Sequence, residues 1–271
     1  GVPVPDSVRS LASRGIPMTT GQRLGGAAKA VEDRATSIPF VGDMINARRM
    51  EGLGAFNQRA FADAGESIGF TPQQTGKEGI QDLYGAAGQA YGVTVPLDQQ
   101  YAEGFEQVIG GAQSLPDDLR LRYGKALENR VNPINDAGQM TGETYQQAMR
   151  GLKSYKAETT KPGFEQDYRD ALGGAMDVLT GQMQRGGGDG VVSGLASADK
   201  AYRNTKMLEN AVQRAKGGSQ SGESYTFTPS QLQMSVQQGQ RKYPGATPLE
   251  GLADAGQDVL PSRIPDSGTA G

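Results

Sequence analysis

Thr228-Pro229-Ser230-Gln231, within TFTPSQLQ (226–233), carries the reading that decides the fold. A threonine at the cap position accepts the backbone N–H three residues on, and a glutamine there reaches back to the threonine N–H. Proline suits the first helical position, whose N–H lacks an intrahelical partner in any case. The same pattern recurs at Thr71-Pro72-Gln73-Gln74 and Thr247-Pro248-Leu249-Glu250, and Thr19 with Gln22 gives a weaker fourth case. Repeated helix starts of one kind predict a helical chain.

Apolar spacing on either side agrees. Leu53, Phe56, Ala60, Ala64 and Ile68 recur every three or four residues, predicting a long helix from about Gly42 to Ser67. Comparable stripes run through Ile80, Leu83 and Ala87; Tyr101, Phe105 and Val108; and Leu119, Tyr123 and Leu127. Others run through Tyr145, Met149 and Leu152; Tyr168, Leu172, Ala175 and Leu179; and Leu195, Ala198, Leu208 and Val212. Period-two alternation is confined to Val93-Thr94-Val95 and Tyr225-Thr226-Phe227, the two strand candidates. Tyrosines on the stripes are expected to pack with their hydroxyls reaching a partner.

Glycine, proline and polar clusters punctuate these stripes. The expected order is an extended segment over 1–18, a helical region over 19–131 and a turn-rich break over 132–142. A second helical region over 143–215 follows, then a flexible loop over 216–227, short helices over 228–258 and an extended end over 259–271. Arg185 to Gly190 is expected to be a flexible link between two helices.

The chain has 271 residues, 36% of them hydrophobic and 6% aromatic, with no tryptophan and 40 glycines. Small side chains bury little apolar area each, which predicts a thin core. Of a disordered polar chain, a marginal globule and a subunit stabilised by assembly, the last is expected. The chain contains no histidine and no cysteine. A Ser-His-Asp or Cys-His nucleophile, a thiol redox centre and a His/Cys zinc site are therefore excluded. A fold without cysteine tolerates both reducing and oxidising compartments.

Lys and Arg number 27 against 30 Asp and Glu, well mixed, for a net charge of −3. Arg48-Arg49 and Arg241-Lys242 read as solvated helix faces rather than phosphate contacts. No apolar run approaches the ~20 residues of a bilayer-spanning helix, and the first residues do not read as a signal peptide. With no initiator methionine, the chain is expected to be a piece of a longer protein.

Enzymatic motifs fail on inspection. Glu66-Ser67 and Glu223-Ser224 supply the dipeptide of a lysozyme-like transglycosylase but lack the downstream motifs and an apolar pocket to raise an acid's pKa. Gly76-Lys77 and Gly124-Lys125 lack the rest of a phosphate loop. In the 132–143 stretch, Ile134 and Ala137 stand where a calcium loop needs a ligand and a glycine, so a polar turn is expected. No catalytic residue, cofactor, metal or small-molecule ligand is expected.

Glycine within a helix costs about 0.8–1 kcal/mol relative to alanine. Gly85 with Gly88, Gly110 with Gly111, and Gly173 with Gly174 are therefore candidates for close approach between helices or subunits, with local bends or early helix ends as the alternative.

Six phrases in order, GIPMTTGQ (15–22), SIPFVGDMINARRMEGLGAFNQRAF (37–61), TGETYQQAMRGLKSY (141–155), ADKAYRNTKMLENAV (198–212), TFTPSQLQ (226–233) and IPDSGTAG (264–271), cover nearly the whole chain. Together they resemble the internal virion, or DNA-ejection, proteins of short-tailed bacteriophages and related prophages. The resemblance implies a non-enzymatic subunit packaged in the capsid, leaving with the genome and building a channel through the bacterial envelope. The implied form is a mainly α, elongated multi-helix subunit with extended termini, in a ring or tubular homo-oligomer. Implied partners are other copies, other ejection or tail proteins, the host envelope (outer membrane or periplasm) and phage DNA in transient, sequence-independent contact. The competing expectations are a capsid-resident core or portal-associated protein that is not ejected, and a soluble binding module of a prophage toxin.

Overall fold

The computed structural model describes residues 4–38, 40–158, 165–218 and 225–263. It is mainly helical, as the cap grammar predicts. The chain divides into two compact units, one built from residues 1–86 and 200–271 and the other from 87–199, so the second is inserted in the sequence of the first.

In the first unit the chain forms α1 (Asp6–Ser13), α2 (Thr20–Leu24), α3 (Gly26–Ala35) and α4 (Val41–Gly65), and then enters α5 (Gly76–Tyr91). Within the segment 1–18, expected to be extended, the described residues instead form α1. Helix α1 packs on α13 (Pro248–Val259), and Val8, Leu11, Ile16 and Met18 are buried. The predicted long helix is present as α4, closed by a 3-10 turn over Glu66–Ile68. Its Leu53, Phe56, Ala60 and Ala64 join Leu208 and Ala211 of α11 (Val191–Gly218), Leu232 and Val236 of α12 (Pro229–Lys242), and Leu249 and Leu252 of α13 in one core.

Phe227 enters this core edge-on to Phe56, 6.2 Å between ring centroids. Buried Asn57 donates to the Phe227 carbonyl at 2.9 Å and accepts the Phe227 N–H at 3.0 Å. Both backbone groups are therefore taken by a side chain, and the strand expected at Tyr225-Thr226-Phe227 does not form. The expected extended end over 259–271 is also shortened. Val259 and Leu260 are buried, and the Leu260 N–H bonds the Gly256 carbonyl. The phrase at 264–271 lies outside the described residues, as does most of the loop expected over 216–227, where α11 itself runs to Gly218.

The second unit contains β1 (Thr94–Pro96), α6 (Gln99–Ala112), α7 (Asp117–Arg130), α8 (Asn132–Ala137), β2 (Gln139–Thr141), α9 (Gly142–Ala157) and α10 (Glu165–Gly187). Helix α10 packs against α6, α7, α9 and β1. Phe105, Leu119, Leu152, Leu172, Leu179 and Met183 lie in its core. The turn-rich break expected over 132–142 is a short helix and a strand, because Ile134 and Met140 both bury their side chains. The strand candidate at 93–95 is present as β1, which pairs antiparallel with β2, Val95 opposite Met140.

The expected flexible link at 185–190 is shorter than predicted. Arg185 makes a two-point ion pair with Asp98, both contacts at 2.9 Å. That pair holds the last turn of α10 in place, leaving Gly188-Asp189-Gly190 as the break, with both glycines at positive φ. Each unit thus has a continuous core with fully buried Leu and Met side chains, to which the first adds Phe56, Phe61 and Phe227. The thin core read from composition is not found, because small residues let helices approach until the larger side chains interlock.

Candidate functional site

The six glycines singled out from sequence separate into two kinds. Gly85 and Gly88 lie exposed inside α5, and Gly110 and Gly111 lie exposed in the last turn of α6. A Cβ built on any of these four meets no atom within 4 Å. Among the described residues they make no contact between helices, and for Gly110 and Gly111 the structure places a helix end nearby. Gly173 and Gly174 are half-buried in α10. A Cβ on Gly174 would sit 3.3 Å from Val108 of α6, whereas one on Gly173 would reach only Lys156 Nζ, at 3.6 Å. Gly174 alone of the six marks a tight helix–helix contact within the chain.

Tighter approaches occur at glycines the sequence did not single out. A Cβ on Gly142 would lie 2.9 Å from the Tyr91 backbone, one on Gly256 would lie 2.7 Å from the Phe56 ring, and one on Gly186 would overlap Val95. Two of these glycines lie at or next to an element boundary, where a glycine reads as punctuation. Their packing role becomes visible only when distant segments are brought together.

The most developed polar cluster joins α2, α3 and α4. Glu32 accepts hydrogen bonds from Thr19 Oγ1 at 2.7 Å, the Gly21 N–H at 2.8 Å and Arg49 at 2.9 Å. Arg49 also reaches Asp33 at 2.5 Å. Burial raises the Glu32 pKa, but the Thr19, Gly21 and Arg49 hydrogen bonds outweigh it, so the carboxyl is held below its usual range. Arg49 is thus no solvated helix face, as the sequence reading had it, while Arg48 pairs with Glu51 on the surface.

Beside this cluster lies a cleft of about 530 Å³ whose walls include Gln22, Lys29, Asn46, Arg49 and Arg263. The acids at its edge are already engaged with Arg49, which makes the cluster a clasp holding three helices rather than an acid–base pair.

Asp63 is a second unusual acid, 2% exposed on α4 with Arg59 Nε at 2.6 Å. Burial pushes its carboxyl above the usual value, against the attraction of Arg59 and Arg14, and Glu66 adds to the rise. Of the glutamates tested from sequence, Glu66 neighbours Asp63 without pairing with it. Glu66 is exposed in the 3-10 turn, and Glu223 lies outside the described residues.

Several tyrosines pack in the interior with their hydroxyls hydrogen-bonded, whereas Tyr202 is exposed. Tyr84 donates to Glu209 at 2.8 Å and Tyr101 to Asn135 at 2.7 Å, while Tyr145 and Thr180 share a bond of 3.1 Å. Burial, followed by the Glu209 carboxylate, pushes the Tyr84 phenol well above its usual range, so it remains a donor. Among the described residues no group of three or more acidic side chains is placed to hold a metal ion, and no helix is long and apolar enough to cross a membrane.

No protein-family model, curated protein or solved structure matches this chain.

Proposed function

We propose that this chain is a non-enzymatic subunit of the ejection apparatus of a short-tailed bacteriophage or related prophage. Copies assemble as a ring or tube that carries the viral genome across the bacterial envelope. Its partners are further copies, other ejection or tail proteins, the host envelope and, transiently and without sequence preference, phage DNA. It resides in the virion before ejection and in the host envelope afterwards.

The resemblance of the six collinear phrases supplies the identity of the assembly. The observation that carries the assembly itself is the pair of exposed glycines inside α5. Gly85 and Gly88 each lower helix stability by about 0.8–1 kcal/mol relative to alanine, and among the described residues no side chain or neighbouring backbone fills the space they leave. A second backbone passing over that face would use it. The balanced surface charge also supports a wall that does not hold DNA tightly.

Gly85→Leu with Gly88→Leu tests this reading cleanly. Leucine is a better helix former than glycine, and both positions are open, so the isolated subunit keeps its helix content or gains some. Light scattering and electron microscopy of the wild type are expected to show large ring or tubular particles, and the double variant is expected to remain small. A wild-type chain that stays monomeric at high concentration would contradict the proposal. Gly174→Leu is a poor probe, because its side chain would collide with Val108 inside the subunit.

A further inference from the structure

Charge is balanced over the whole chain but not along it. Residues 200–247 hold seven Lys and Arg against two acids, Glu209 and Glu223, in a chain whose net charge is −3. The fold gathers four of these cations at one end of the helix pair α11 and α12. The two helices run antiparallel: Arg214 meets Gln238, a Cβ on Gly239 would overlap Met207, and Arg203 donates to the Pro244 and Ala246 carbonyls, both at 3.2 Å. Arg203 and Lys206 of α11 therefore lie at the same end as Arg241 and Lys242, which close α12. Arg203, Arg241 and Lys242 have no acidic partner among the described residues, while Lys206 is bound to Glu209 at 3.1 Å. Glu250, the other acid at this end, accepts from Gln240 at 2.9 Å. On α5, exposed Asp82 lies about 200° around the helix from Tyr84, on its far side. Four cations thus meet two acids.

Three tyrosines stand among these charges. Tyr84 and Tyr202 lie 5.1 Å apart between ring centroids, their planes tilted by 51°, and Lys206 Nζ sits 5.0 Å from the first ring and 5.8 Å from the second. Lys242 Nζ lies 5.4 Å from the ring of Tyr243, which is half-buried. The Tyr84 hydroxyl is tied to Glu209 at 2.8 Å, which fixes the inner ring, and Tyr202 is the outer one, 36% exposed. Tyr202 and Tyr243 both add to the lift on the Tyr84 phenol, so the three rings form one group.

Rings interleaved with cations decide between occupants. Duplex nucleic acid or a phosphate-bearing headgroup would meet the cations and leave the rings unused. A single strand presents phosphates for the cations and unpaired bases whose faces stack on aromatic rings, with no sequence required because every base has such a face. Arg203 has both Nη atoms on carbonyls and Lys206 is held by Glu209, so these two contribute attraction at a distance. Arg241 and Lys242 are exposed and can reach a phosphate directly. From sequence this pair reads as a solvated helix face; the tyrosines beside it come from α5, from α11 and from the end of α12, and only the fold brings them together.

We propose that Tyr202 and Tyr243, with Arg241 and Lys242, form a binding surface for single-stranded nucleic acid, the bases stacking on the rings and the phosphates meeting the cations. The inference goes beyond the function proposed above, which calls only for passing contact with DNA, and does not rest on it.

The test is fluorescence anisotropy of the full chain with a labelled oligothymidylate of about 20 nucleotides, beside its duplex with oligoadenylate. The wild type is expected to bind the single strand more tightly than the duplex, and less tightly as salt is added. Tyr202→Ala is expected to weaken single-strand binding at least about fivefold, and Tyr202→Phe to leave it unchanged, because the ring and not the hydroxyl stacks. Arg241→Gln with Lys242→Gln is expected to flatten the slope of log affinity against log salt by about 1.4, two phosphate contacts at about 0.7 each. Circular dichroism controls for folding, and the exposed pair at 241 and 242 reads the proposal even if Tyr202→Ala misfolds. Absence of wild-type binding would overturn the proposal, as would equal affinity for the duplex or an affinity indifferent to loss of the Tyr202 ring. Binding to anionic lipid vesicles in place of the oligomer would also overturn it. Failure here leaves the ejection reading standing, whereas retention of the chain in emptied virions would remove that reading and leave strand binding intact.

Discussion

Asp63 and Glu32 are both carboxylates withdrawn from water, yet they respond to pH in opposite senses. Burial lifts Asp63 above its ordinary value of 3.8, so its neutral form suits the fold better. Its stabilising effect is complete below that value and is lost as pH rises through the folded pKa. Glu32 is held below its ordinary value of 4.5, so its contribution is present above 4.5 and is lost as pH falls through the folded pKa. Asp63→Asn should therefore gain on the wild type as pH rises from the acid range to neutrality. Glu32→Gln should lose ground over the same interval, because it gives up hydrogen bonds from Thr19, Gly21 and Arg49. Urea midpoints measured across that range check both slopes. Parallel pH dependence of the two variants would contradict the assignment of burial to one acid and hydrogen bonding to the other.

Helix starts show what the element scale adds. At Thr228 both halves of the capping box form: Thr228 Oγ1 accepts the Gln231 N–H at 3.3 Å, and the Gln231 side chain accepts the Thr228 N–H at 2.9 Å. The weaker case at Thr19 is equally complete. At Thr247 the hydroxyl caps the Leu249 N–H instead, and Glu250 turns to Gln240. Thr71 is exposed and starts nothing, since α5 begins at Gly76, whose φ of +75° is incompatible with a helix running on from Pro72. Thr228→Ala is thus expected to cost about 1 kcal/mol and Thr71→Ala close to nothing, a contrast that thermal unfolding reads directly; equal losses would contradict the cap assignments. The helices were legible because periodicity and capping are local. Thr141 was missed because its box is closed by the Thr144 hydroxyl rather than by Glu or Gln. Helix α1 was missed because its partner α13 lies far along the chain, and the fate of Phe227 depended on Asn57 in the same way. Sequence singled out Gly85 and Gly88 for close approach but could not tell an exposed glycine from a packed one such as Gly186.

At the scale of the whole molecule, the division into residues 1–86 with 200–271 and residues 87–199 leaves no mark in composition, because its boundaries fall inside α5 and α11. Each unit is packed well enough that assembly is not required to complete a core. The self-association proposed above would therefore rest on surface features, the open glycines of α5 first among them. Under the proposed function, a subunit of this kind would keep its fold in the capsid and change its neighbours, not its core, on release. The most direct test is to follow this polypeptide through DNA release, by comparing full virions, virions emptied in vitro and envelope fractions of infected cells. The account predicts that the chain is present in full virions, depleted from emptied ones and recovered in the host envelope fraction. Quantitative retention in emptied virions would contradict it and would favour a capsid-resident core or portal-associated protein.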